Sequence, residues 1–230
     1  MEPTDHNRRA WDEVHRGRAR SMRGELGIPD RVRVRLGDVS GQKVLHLQCA
    51  SGDATAELAR LGALVTGLDV SAEALADARE LVPTALFVVG DVHALPPQIR
   101  RGRFDLVYSG DEGLTWVVDL EPWAAGIAAS LRPGGRLVLH DTHPVVHCVD
   151  AALRWRGDYF AGEPATEPGL ARAWRLGEIL TALAGARLVL EFLEELPSTG
   201  TTRRQDPRVP AELLLGSRKP VEINASATSA

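Results

Sequence analysis

With 230 residues, 44% of them hydrophobic, the chain has enough apolar material for one substantial core and suits a single enzyme-sized domain. A net charge of −4 offers no field for a polyanion. The arginine-rich stretch over residues 1–36 therefore reads as the solvated face of a helix, not a nucleic-acid surface. Two cysteines, Cys49 and Cys148, form neither a disulfide framework nor a CxxC pair. The start, MEPTDHNRRAWDE, lacks the apolar core of a signal peptide, and no run reaches the ~18 apolar residues of a membrane span. These features predict a soluble, cytoplasmic protein without a membrane or nucleic-acid partner, either monomer or homodimer.

Residues 1–36 are predicted to form an N-terminal helical cap, with Trp11, Val14 and His15 on a helix over His6 to Met22. Five short apolar runs follow: Lys43 to Leu47, Ala63 to Leu68, Ala85 to Val89, Phe104 to Tyr108 and Arg136 to His140. Their apolarity is continuous, not alternating, as expected of strands buried on both faces of a parallel sheet. Helical patterns separate them at Ala54 to Leu61, at Ser71 to Leu81 with Ser71 placed to cap, and at Trp116 to Leu131. Pro133, Gly134 and Gly135 should break the chain before the fifth strand. Leu176, Ile179, Leu180 and Leu183 sit at helical spacing up to Gly185, and Arg187 to Leu193 and Ala211 to Leu215 are candidate sixth and seventh strands. The rhythm is βαβαβ, hence α/β. One domain over 1–216 is expected, with an irregular insert over 149–169 and a disordered tail over 217–230.

In a doubly wound sheet the ligand lies beyond the carboxyl ends of the strands, where the first strand turns into the first helix. Here that turn reads VLHLQCASGDATAELARLGA. Ala50, Ser51 and Gly52 let the backbone approach a ligand, and the helix after them presents unpaired N–H groups. Asp69 ends the second strand, where a carboxylate can accept from both hydroxyls of a ribose. Gly90 and Asp91 end the third, where a second carboxylate can receive an adenine amino group. Two acids at successive strand ends say more than the glycine turn alone.

These residues resemble the class I S-adenosylmethionine-dependent methyltransferases, in particular a bacterial branch with LHLQC followed by a Gly-containing turn and TGLDVS. The family's first motif usually reads like VLDLGCGTG, so His46, Gln48 and Ala50 stand where an acid and two glycines are commoner, while Gly52 matches the third glycine. The likeness continues through RFDLVYSGDEGLTWVVDLEPW, SLRPGGRLVLHDTHP and WRLGEILTALAGARLVLEFLEE, about residues 7 to 197. It implies a doubly wound, mostly parallel seven-stranded sheet with an N-terminal lid helix. It also implies S-adenosylmethionine as methyl donor and S-adenosylhomocysteine as product. Carried over, Gln48, Ala50, Ser51 and Gly52 form the cofactor turn, Asp69 with Val70 holds the ribose, Asp91 with Val92 the adenine, and Ser109 with Gly110 the methionine portion.

Methyl transfer is an in-line displacement in which positioning supplies most of the acceleration, and a base is required only when the acceptor arrives protonated. His143, Tyr108 and His140 are the candidate catalytic residues, with His143 first because imidazole titrates near neutrality. Asp111, Glu112, Trp116, Asp141 and His147 lie in the same stretches. Pro144 between His143 and His147 argues against a shared helical face, so no metal is assigned. No NPPY-like or DPPY-like tetrapeptide follows the fourth strand, where YSGDEG stands. A small-molecule acceptor, methylated at N or O, is therefore expected. The alternatives are a regulatory or non-methylating S-adenosylmethionine-binding protein and, with two of the GxGxxG glycines missing from QCASGD, a less favoured nicotinamide-dependent oxidoreductase.

Overall fold

The computed structural model describes residues 3–17, 27–110, 112–150, 154–160, 173–197 and 208–221. Seven strands form one sheet: β1 (Lys43–Leu47), β2 (Leu64–Asp69), β3 (Leu86–Val89), β4 (Phe104–Ser109), β5 (Leu131–Thr142), β6 (Val189–Pro197) and β7 (Pro210–Arg218). Their order is β3-β2-β1-β4-β5-β7-β6, and β7 runs antiparallel to both its neighbours. The helices are α1 (Pro3–Gly17), α2 (Asp30–Leu36), α3 (Asp53–Arg60), α4 (Ala72–Leu81), α5 (Leu120–Ser130) and α6 (Leu176–Gly185). The expected doubly wound, mostly parallel α/β sheet is what forms.

Because successive side chains on a strand point to opposite faces, each central strand feeds two apolar layers. Leu45, Leu47, Val107, Leu137 and Leu139 pack on one face with Trp123 and Ile127 of α5 and Ile179 and Leu183 of α6. Val44, Leu106, Tyr108 and Val138 pack on the other with Val32 and Leu36 of α2 and Ala54 and Leu58 of α3. Double burial explains why these strands read as unbroken apolar runs.

The strand and helix expectations hold to within a few residues, with three corrections. Asp119 caps the helix before β5 by accepting from the Glu121 N–H, so the expected helix from Trp116 resolves into a 3₁₀ turn at Gly113–Trp116 and then α5. Pro133 to Gly135 do not separate helix from strand; they form a register irregularity inside β5, where Gly134 takes φ +76°. The domain does not stop at 216. β7 continues to Arg218, and the Lys219 ammonium donates to the Ala128 and Leu131 carbonyls at 2.7 and 2.8 Å. Residues 222–230 of the expected tail, 151–153 and 161–169 of the expected insert, and Asp111 lie outside the described residues, as do the Val14 and His15 side chains. Among the described residues no helix is long and apolar enough to cross a membrane.

Candidate active site

The β1–α3 turn carries an unusual backbone. Gln48, Ala50 and Gly52 have φ of +52°, +45° and +88°, two of them on side chains that rarely visit this region. Such strain persists only where surroundings enforce it, and it concentrates at functional sites. Asp69, at the end of β2, supplies the enforcement: its Oδ2 accepts from the Ala50 N–H at 2.9 Å, and its Oδ1 from the Ser71 N–H at 2.9 Å. Ser71 in turn caps α4 through the Ala74 N–H, as expected. The Gln48 amide donates to the Gly113 carbonyl at 2.7 Å, tying the turn to the segment after β4.

At the end of β3, Asp91 accepts from the His93 N–H at 2.9 Å and from its ring Nδ1 at 2.6 Å. The far ring nitrogen, Nε2, accepts from the Val118 N–H at 3.0 Å, so the ring bridges Asp91 and the segment before α5. Burial would raise the Asp91 carboxyl, but hydrogen bonds from the His93 ring and backbone and from Thr4 outweigh it, and the group is held below its usual range. His93 lies two residues from Asp91 and was readable as a neighbour; its clamp on Val118 was not, because the two lie 25 positions apart.

Gln48, Ala50, Ser51, Gly52, Asp69, Val70, Asp91 and Val92 all line one cavity of about 510 Å³, together with His140. Thr4, Asn7 and Trp11 of α1 cover part of it, and Trp11 meets Trp116 edge-on with ring centroids 5.0 Å apart.

A methyltransferase domain model matches residues 44–135, the stretch that contains the turn, Asp69 and Asp91. An uncharacterised methyltransferase of Synechocystis sp. is 41% identical over 104 residues, 45% of this chain and 48% of the relative. A trans-aconitate 2-methyltransferase of Paracidovorax citrulli is 37% identical over 122 residues, 49% of this chain and 46% of the relative. Among solved structures, an S-adenosylmethionine-dependent methyltransferase from Mesorhizobium loti superposes with a TM-score of 0.68 at 26% identity, covering 82% of this chain and 95% of that one. Over residues 44–135 the chain matches a methyltransferase domain, and its fold is similar to that of an S-adenosylmethionine-dependent methyltransferase. The chain spans about half the length of the curated relatives it matches.

The residues fit the family's cofactor, S-adenosylmethionine. Besides the two acids, the Gln48 Oε1 is buried with no hydrogen-bond partner among the described residues, an acceptor available to a donor such as the cofactor's ammonium group. His46, where the family more often has an acid, is neutral: burial lowers it to about 3, and its Nδ1 lies 2.7 Å from the Thr55 hydroxyl. It anchors α3 beneath the β1–α3 turn.

Four of the sequence-derived site residues lie elsewhere. Ser109 and Gly110 do not line the cavity; Glu112 and Gly113 stand there instead, because the chain turns at Glu112, which has φ +63°. Tyr108 points into the α2–α3 layer, fully buried with its ring centroid 5.2 Å from that of His46. His143 caps the 3₁₀ turn Pro144–Cys148 by accepting from the Val145 N–H at 3.2 Å, and its Nε2 lies 2.9 Å from Glu195. It orders the loop after β5 and does not line the cavity. Among the described residues no group of three or more His, Cys, Asp or Glu side chains could hold a metal ion.

Two groups complete the β5 wall. Glu212 was invisible as a site residue because only the antiparallel pairing of β7 with β5 carries it there, opposite Thr142. Asp141 is pushed up to about 7, chiefly by burial and further by Glu112, against hydrogen bonds from the Leu114 and Thr142 N–H groups and the charge of His140. A carboxyl raised on folding binds a proton that the unfolded chain releases above about 4, so its stabilisation is present at low pH and lost as pH rises through about 7. Asp141→Asn should therefore flatten the fall in stability between pH 4 and 7, as measured by urea unfolding at several pH values. A variant with the wild-type slope would show that Asp141 is ionised throughout.

Proposed function

We propose that this protein transfers the methyl group of S-adenosylmethionine to a nitrogen or oxygen of a small molecule, mainly by proximity and orientation. The observation that carries this reading is the single cavity that joins the strained β1–α3 turn and both strand-end acids to the wall built by His140, Asp141 and Glu212. In this reading Gln48 and Gly113 face the methionine portion, Asp69 the ribose, and Asp91 with Val92 the adenine. When bound, the cofactor supplies an electrophilic methyl carbon on a sulfonium. The chain's own residues hold the acceptor against that carbon and exclude water. A small acceptor is supported by the cavity of about 510 Å³ and by the relative named for trans-aconitate, itself a small molecule.

Calorimetry with S-adenosylmethionine, S-adenosylhomocysteine and NADH is the first test, and release of S-adenosylhomocysteine with an acceptor panel is the second. Binding of the first two without release on any acceptor would favour the regulatory or non-methylating alternative; binding of NADH alone would overturn the reading. The cover formed by α1 gives a further expectation. Deleting residues 1–25 should weaken S-adenosylmethionine binding roughly 10-fold, the loss of about 1.4 kcal/mol of contacts, while cooperative unfolding persists. Unchanged affinity would show that α1 is not a lid.

A further inference from the structure

A closed circuit of contacts surrounds the end of the cavity where Asp91 stands. Thr4, Asn7 and Trp11 lie at i, i+3 and i+7 of α1, hence on one helix face, and all three line the cavity. The Thr4 hydroxyl donates to the Asp91 carboxylate. Asp91 Oδ1 accepts from the His93 N–H and lies 2.6 Å from the imidazole Nδ1, and the imidazole Nε2 accepts from the Val118 N–H at 3.0 Å. Two residues before Val118, the Trp116 carbonyl accepts from the Asn7 amide at 3.4 Å, and the Trp116 indole meets Trp11. The circuit therefore runs from α1 through Asp91, His93, Val118 and Trp116 and returns to α1.

His93 is the member that closes this circuit. Its flanking residues Val92 and Leu95 are buried in the apolar layer that holds Trp123 and Ile127 of α5, so the chain on either side of it is fixed. The segment that its side chain reaches is built differently. The backbone bonds of Gly113–Trp116 and Val117 are short-range turns, from Thr115 to Glu112 and from Val117 to Leu114. Side chains from distant elements hold the segment in place: Gln48 on Gly113, Asp141 on Leu114, Trp174 on Val117 and His93 on Val118. Of these four, His93 is the one that ties it to Asp91. Without that acceptor the Val118 N–H loses its partner, and the seat of Asn7 and Trp11 on Trp116 loses a support.

We propose that His93 is a positioning residue that makes adenine binding at Asp91 and the seating of α1 over the cavity one event, because it links Asp91 to the segment on which α1 docks. This rests on the function proposed above, in which Asp91 receives the adenine. An adenine that fixes the Asp91 carboxylate fixes both of its partners, Thr4 on α1 and His93 beneath Trp116. Each site then favours the ordered form of the other, which is a coupling free energy between them. The C-terminal part of α1 is held apart from this circuit, by the Ser71 hydroxyl, which donates to Asp12 at 2.5 Å. Breaking the circuit therefore frees the first turns of α1 and leaves the helix attached at Asp12.

The test uses the full chain, S-adenosylhomocysteine, and trypsin as the probe of α1. Arg8 and Arg9 are exposed on α1, and cleavage there requires the helix to leave its seat, so saturating S-adenosylhomocysteine should protect them in the wild type. His93→Asn, whose amide reaches Asp91 but falls short of Val118, should bind about fivefold more weakly, the worth of one hydrogen bond, and stay cleavable even when saturated. His93→Gln sets an amide oxygen where Nε2 stood and keeps the backbone bond to Asp91, so it should recover both affinity and protection. Trp11→Ala opens the circuit at its other side and should also cost about fivefold. Combined with His93→Asn the loss should stay near fivefold, where independent contacts would multiply to about 25-fold. Hydrogen exchange on the wild type needs no variant: S-adenosylhomocysteine should slow the Val118 amide together with those of α1. Protection of saturated His93→Asn, no recovery in His93→Gln, multiplying losses, or slowing of α1 without Val118 would each overturn the proposal. So would a wild-type complex that trypsin still cleaves at α1. Failure of the wild type to bind S-adenosylhomocysteine would instead sink the methyltransferase reading itself.

Discussion

Asp69→Ala should lose about 100-fold in affinity for S-adenosylmethionine while the sheet stays folded. A hydrogen bond to a charged group contributes about 1.5–3 kcal/mol, and two such bonds from a ribose diol give a loss of about 3 kcal/mol or more, about 100-fold. The carboxylate already accepts the Ala50 and Ser71 N–H groups at the strand end, so it is held where a ribose would meet it. The same substitution frees the Ala50 N–H and relaxes a strained turn, so loss of shape adds to loss of contact. The β2 strand itself remains paired on both sides, by β1 and β3, and Ser71 still caps α4. Calorimetry on the purified variant, with circular dichroism as the folding control, is the measurement; affinity within threefold of wild type would remove the ribose assignment.

Gly52→Ala should destabilise the protein by about 2–5 kcal/mol. Gly52 has φ +88°, where an L side chain costs about 1–2 kcal/mol. A Cβ there would also lie 3.0 Å from the Ala78 Cβ and 3.2 Å from its Cα, and forcing a methyl into packed surroundings costs about 1–3 kcal/mol more. Those neighbours belong to α4, so the glycine sets how closely α3 and α4 approach beside the cofactor turn. Gly177→Ala makes the control: it lies in α6, nothing stands within 4 Å of its Cβ position, and a helical alanine is favoured over glycine by about 0.5–1 kcal/mol. Urea unfolding should show the first variant weakened and the second unchanged or slightly firmer. Equal stabilities for Gly52→Ala and wild type would mean that the turn adjusts without strain.

The convergence of the candidate cofactor residues on one cavity was legible because they are local. Val44 to Asp69 contains a strand, its turn, the crossover helix and the next strand end, and the parallel pairing of β1 with β2 follows from that βαβ unit alone. Burial on both faces writes itself into the sequence as continuous apolar runs, which is why strands and helices fall within a few residues of expectation. His143 shows the limit. Its place just past a strand end suggested the crevice, yet Pro144 starts a 3₁₀ turn there, and His143 is taken up as its cap and as the partner of Glu195. Tyr108 and Ser109 show another: a strand end has two faces, and the face turned to the ligand depends on a pleat phase that a doubly buried strand does not reveal.

Composition and the run from Val44 through Asp91 determined the α/β class, the alternation of strands and helices in the first half and the chemistry of the methyl donor, because each depends on neighbours a few residues apart. The β5 wall of the cavity was decided only by the tertiary structure. There β7 enters antiparallel beside β5 and sets Glu212 against His140 across 72 residues, and α2 brings Arg31 to Glu212 across 181. Pairings at such separations leave no periodicity or spacing in the chain; they exist only once the sheet has closed its edge.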